Sequence, residues 1–112
     1  MRKLPVLLLA TAIVAALAAS ALAATVSVKV GDNYYVRSRG VPTVTVSRNT
    51  TVVWRFKGVQ AHNVTVSRGP AKFRSKTKSS GTYRHTVTRA GTYTIYCSIH
   101  GAPDQKMKLV VR

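Results

Sequence analysis

From residue 24 onward, hydrophobic and polar positions alternate along most of the chain, with the period of two that marks a half-buried strand rather than the 3.6 of a helix. Val26, Val28 and Val30 share one face before Gly31, Asp32 and Asn33 break the run. Pro42 opens a second strand, in which Val44 and Val46 alternate with Thr45 and Ser47, and Arg48, Asn49 and Thr50 then turn the chain. Val52, Trp54 and Phe56 point one way while Val53, Arg55 and Lys57 point the other, so inner and outer faces are visible directly. His62, Val64 and Val66 keep this parity, which predicts a strand with His62 on its apolar side, next to a turn at Gly58, Val59 and Gln60. Residues 67–80 are rich in Ser, Lys and Arg and predict a loop with at most a short edge strand. Residues 81–88 alternate again, and residues 92–96 carry Tyr93 and Ile95 on the face that Cys97 continues. The last strand turns Met107, Leu109 and Val111 inward, with Gln105 in phase. Seven or so short strands at this spacing predict an all-β fold, a two-sheet antiparallel β-sandwich.

The N-terminus follows a different pattern. Met1, Arg2 and Lys3 give a positive start, residues 4–19 are almost wholly apolar, and Ala21, Leu22 and Ala23 supply an A-x-A site. This predicts a helical signal peptide over residues 1–23, cleaved after Ala23, and hence export. The alternative is an uncleaved membrane anchor, because an apolar run ending at Ala24 is long enough to cross a hydrocarbon core of about 30 Å. Cleavage leaves residues 24–112, enough for one domain with one modest core. It also leaves 16 basic residues against two acidic ones, Asp32 and Asp104, a formal charge of +14. Such a field favours partner proteins with acidic docking surfaces, an anionic envelope surface or polyanions. Lys72, Arg74, Lys76 and Lys78 are the one basic group and read as a solvated loop, and no motif points to specific nucleic-acid binding. Neither an acidic pair nor a Ser/His/Asp arrangement is present to suggest an enzyme.

Cys97 is the only cysteine, so in an oxidising compartment it has no partner within its own chain. Burial, a second chain or a metal must account for the sulfur. The residues able to bind a metal are His62, His85, Cys97, His100, Met107 and the amide of Gln105. Cys97 and His100 are close enough in sequence for one tight turn at a strand end to aim both at a point, and His62 comes from another strand. Two imidazoles and a thiolate suit copper in both oxidation states, with a weak axial donor completing the set. The Cys/His pair alone is weak evidence.

The segments AHNVTV at 61–66 and GTYTIYCSIH at 91–100 resemble the two ligand-bearing segments of the cupredoxins, most nearly the plastocyanin-like and pseudoazurin-like proteins. PTVTVSRNTTVVWRF at 42–56 is similar to the strands that precede the first histidine in that family, and the resemblance extends over residues 25–112. It implies a Greek-key β-sandwich, one type 1 (blue) copper ion cycling between Cu(I) and Cu(II), and electron transfer between redox partner proteins. By position, His62, Cys97 and His100 would be the equatorial ligands and Asn63 would tie the ligand loops together by hydrogen bonds. The family's axial methionine falls where this chain has Gln105, and Met107 lies two residues further on. Two strand residues span about 6.8 Å, so both side chains cannot reach one axial point. Gln105 is the expected axial donor, because it keeps residues 106–111 in register and leaves Met107 as core filling; Met107, or no close axial ligand, is the alternative. Glutamine serves at this position in the stellacyanin-type members.

The resemblance further implies that His100 lies near the surface, with Gly101, Ala102 and Pro103 forming an apolar docking rim. His85 is expected in a structural or edge role, and Asn49, which like Asn63 heads an N-x-T triplet, as a turn residue. The expectation is a monomeric electron carrier, periplasmic or extracellular, or membrane-associated if the N-terminal segment is retained. Two other functions fit the same residues: copper storage or delivery, and a basic polyanion- or envelope-binding sandwich with a vestigial site.

Overall fold

The computed structural model describes residues 24–37 and 40–112, so the expected signal peptide over 1–23 lies outside the described residues. Eight strands follow in chain order: β1 (Thr25–Gly31), β2 (Tyr34–Tyr35), β3 (Thr43–Val46), β4 (Thr50–Phe56), β5 (Thr65–Arg68), β6 (Thr82–Val87), β7 (Gly91–Tyr96) and β8 (Lys106–Val111). They form two four-stranded sheets, in the orders β2-β1-β4-β6 and β3-β8-β7-β5. No helix among the described residues is long and apolar enough to cross a membrane.

The sandwich is as expected, but its pairing is not purely antiparallel. β1 runs parallel to β4, with Val28 opposite Trp54, and β3 runs parallel to β8, with Val44 opposite Leu109. The chain leaves the first sheet after β2, places β3 in the second, and returns with β4 beside β1. A parallel neighbour needs such a crossover, and side-chain alternation looks the same whichever way the neighbour runs.

The core lies between the sheets. Val28, Val30, Val52, Trp54 and Phe56 face it from the first sheet, and Val66, Tyr93, Ile95, Met107, Leu109 and Val111 face it from the second. Val53 has the outward parity and yet is buried; it sits between Ser27 and Arg84 on the flanking strands and does not join the core cluster.

Residues 67–80 add more than a solvated loop. Isolated bridges join His62 to Lys78 and Thr65 to Arg74, so this segment runs back antiparallel along residues 62–66. It carries Phe73 onto Trp54, Tyr83 and Tyr93, and stacks it on His85 with ring centroids 3.9 Å apart. Burial holds the His85 imidazole below its ordinary pKa, as befits a ring used for packing.

The strand expected from His62 begins only at Thr65. Side chains fill the gaps in the ladder there: between the backbone bonds that link His62 to Lys78 and Val64 to Ser75, the Val64 N–H donates to Ser75 Oγ at 2.9 Å, and the Asn63 C=O accepts from the Tyr35 hydroxyl at 2.6 Å. β2, which the sequence pattern does not show, exists to place this fully buried tyrosine. Removing its hydroxyl leaves a buried carbonyl without its donor, so Tyr35→Phe should destabilise the protein by about 1–2 kcal/mol in denaturant unfolding.

Candidate metal centre

One end of the sandwich gathers the chain's single thiol and two of its imidazoles. His62 follows the 58–60 bend after β4, Cys97 is the first residue beyond β7, and His100 lies in the loop that leads into β8. Their ligand atoms all lie within 4.8 Å of one another. Cys97 Sγ is 3.4 Å from His100 Nδ1, and the two imidazole centroids are 4.7 Å apart. His62 and Cys97 are fully buried, whereas His100 is partly exposed.

The backbone dictates this convergence. The loop closes when the Gly101 N–H donates to the Cys97 C=O at 2.8 Å, the Gln105 N–H to the Gly101 C=O at 3.1 Å, and the Cys97 N–H to the Gln105 C=O at 3.2 Å. Gly101 has φ of 86°, a conformation that strains any residue with a Cβ. Buried Asn63 fastens this loop to the His62 segment. Its amide donates to Ser98 Oγ at 2.8 Å and to Thr77 Oγ1 at 3.2 Å, and its oxygen accepts from the Ser98 N–H at 3.0 Å and from the Thr65 hydroxyl at 2.8 Å.

Gln105 and Met107 are both buried but in different surroundings. Met107 pairs with Ile95 across β7 and β8 and belongs to the apolar core. Gln105 faces the gathered ligands, with Oε1 2.9 Å from His62 Nδ1. Its amide nitrogen donates to the Gly31 and Tyr34 carbonyls, both at 2.9 Å, which fixes which end of the amide points inward.

No local sequence pattern pointed to a role for Asp32 at this site. Its carboxylate lies 2.8 Å from His62 Nε2 and accepts the Val59 N–H at 3.1 Å and the Gln60 N–H at 3.0 Å. Led by the His62 bond, with the two backbone N–H groups next, these contacts hold the Asp32 pKa down at about 2 against an ordinary 3.8. An ionised carboxylate only accepts, so the proton of His62 belongs on Nε2. Nδ1 and Gln105 Oε1 then aim lone pairs at one another, and such a pair calls for a cation, either a proton or a metal ion. The donors present, two imidazole nitrogens, a thiol sulfur and an amide oxygen, fit a copper ion. Exposed Val59 and Ile99, adjacent in sequence to Gln60 and His100, supply large apolar surface beside this end that the sequence pattern did not single out.

The Asp32 contacts set an acid dependence. A carboxyl group with a lowered folded pKa contributes stability in full above its ordinary value and loses it as the pH falls through the folded one. The metal-free protein should therefore lose stability between about pH 4 and pH 2, and Asp32→Asn should remove that part of the loss; thermal midpoints against pH check it.

No protein-family model matches the sequence. Among solved structures, the chain is similar to amicyanin. A methionine-to-alanine variant of amicyanin in its Cu(I) form superposes with a TM-score of 0.66 at 28% identity, over 85% of this chain and 89% of that one. A methionine-to-glutamine variant, also in the Cu(I) form, gives 0.65 at 28% identity with the same coverage. A copper-containing nitrite reductase from Thermus scotoductus SA-01 shares the fold over 79% of this chain but only 22% of its own, with a TM-score of 0.63 at 22% identity. Taken with the sandwich topology and the imidazole, thiol and imidazole brought together at one end of it, these likenesses give the chain a cupredoxin fold with a ligand set consistent with that of a cupredoxin.

Proposed function

We propose that the protein is a copper-dependent carrier of single electrons rather than an enzyme. The observation that carries this reading is the convergence of His62, Cys97 and His100 within 4.8 Å in a largely buried frame. In this reading His62 Nδ1, Cys97 Sγ and His100 Nδ1 hold the ion, and Gln105 Oε1 supplies the fourth, weaker donor. A copper ion bound there exchanges one electron between Cu(I) and Cu(II). Burial of Cys97, His62 and Gln105, together with the Asn63 bonds, limits how far the donors rearrange between the two states.

His100, the most accessible of the three, is the route for the electron, with Gly101, Ala102 and Pro103 as the docking rim; exposed Val59 and Ile99 extend it. The mature domain's formal charge of +14 speeds encounter with acidic redox partners, in a salt-dependent way. Residues 1–23 act as an export signal, which places the mature domain, residues 24–112, outside the cytoplasm.

Adding Cu(II) to the purified protein should produce an intense thiolate-to-copper absorption band that Cys97→Ser abolishes; a colourless wild-type protein would overturn the reading. An amide oxygen is a harder donor than a thioether and favours Cu(II). Gln105→Met should therefore raise the reduction potential by at least about 59 mV, the equivalent of a tenfold shift toward Cu(I). Met107→Leu should leave the potential nearly unchanged, and redox titration of both variants separates the two candidate donors.

A further inference from the structure

The turn between β1 and β2 serves the site from outside the ligand set. The Gly31 and Tyr34 carbonyls hold the Gln105 amide, and Asp32 between them holds the His62 ring through Nε2. The same carboxylate fixes the backbone of the 58–60 bend through the Val59 and Gln60 N–H groups. From that bend the Gln60 side-chain oxygen lies 3.1 Å from His100 Nε2. The outward nitrogen of each imidazole is thus engaged by an oxygen whose placement depends on Asp32. Gly58 leaves room for this arrangement, since a Cβ there would collide with Asp32 Oδ1.

We propose that Asp32 is a positioning residue of the copper site: its carboxylate fixes the proton of His62 on Nε2, presents Nδ1 to the ion, and biases the bound metal toward Cu(II). This rests on the copper reading above. A carboxylate bonded to a ligating imidazole raises the basicity of that ligand. Its negative charge favours the doubly charged ion over the singly charged one. Asp32 is one of only two acidic side chains in the sequence, and it stands beside a groove lined by Lys29, Arg55 and Lys57.

The test uses the full mature domain in both metal-free and copper-loaded form. In the metal-free protein, nitrogen NMR of the imidazoles should show a slowly exchanging Nε2 proton on His62 that Asp32→Ala removes. In the loaded protein, Asp32→Ala should lower Cu(II) affinity by about 10- to 100-fold. Cu(I) affinity should fall about tenfold less, which raises the potential by about 59 mV. Asp32→Asn retains an acceptor oxygen without the charge and should keep the protected proton while still raising the potential. Gly58→Ala, which displaces the carboxylate without altering it, should move both readouts as Asp32→Ala does. Asp104→Asn removes the same formal charge elsewhere and should leave the His62 proton protected. An intact blue band with an unchanged potential in Asp32→Asn, and with both potential and proton exchange unchanged in Gly58→Ala, would overturn the proposal while sparing the copper reading. A wild-type protein that forms no coloured complex would overturn both.

Discussion

A buried amide ties the two sheets together at the site end. Gln105 comes from the loop before β8 in the second sheet, and its nitrogen bonds to two carbonyls that flank the β1–β2 turn of the first. Inside a protein an amide must satisfy its hydrogen bonds or cost stability, so the two carbonyls constrain the whole side chain. With the nitrogen committed, the oxygen can point only toward His62. One residue thereby joins the halves of the sandwich and supplies a donor to the point where the imidazoles and the thiol meet.

Asn63 does the corresponding work on the opposite side of the site. It is adjacent to His62, and its bonds to Ser98 hold the segment after β7 against the segment after β4. The Tyr35 hydroxyl then pins the Asn63 carbonyl from the β2 side. Each link in this chain of buried polar groups has its partners, and that is the condition under which such a network rigidifies a structure rather than weakening it. A frame of this kind suits a reaction in which the metal changes charge and the surrounding atoms should move little.

The inner faces of the strands were legible in the sequence because a two-residue period reports directly on burial. Trp54, Tyr93, Ile95 and Leu109 all lie where that period puts them. Spacing alone could aim Cys97 and His100 at one point, and it was the resemblance of residues 61–66 and 91–100 to cupredoxin ligand segments that implied their gathering with His62. Strand direction was not legible, since a parallel and an antiparallel neighbour leave the same alternation. Nor was the irregular backbone at residues 62–64, where the hydroxyl of Ser75 does what a neighbouring strand would otherwise do. Asp32 read only as a turn residue, because its contact with His62 spans 30 positions and belongs to no local pattern. Phe73 was hidden for a similar reason: it is a single aromatic in a basic, unpatterned segment, and its packing partners come from three separate strands.

The placement of the two carboxylates has an effect beyond the site. Asp32 is committed to hydrogen bonds next to His62, and Asp104 is exposed in the loop beside the rim. Almost every other ionised group on the molecule is cationic. Two copies drifting toward each other consequently meet like charge over most approach directions, and the repulsion slows their contact most at low ionic strength. Traffic between identical molecules is thus disfavoured relative to traffic with an oppositely charged neighbour, so under the proposed function the same surface would keep the population from short-circuiting among itself.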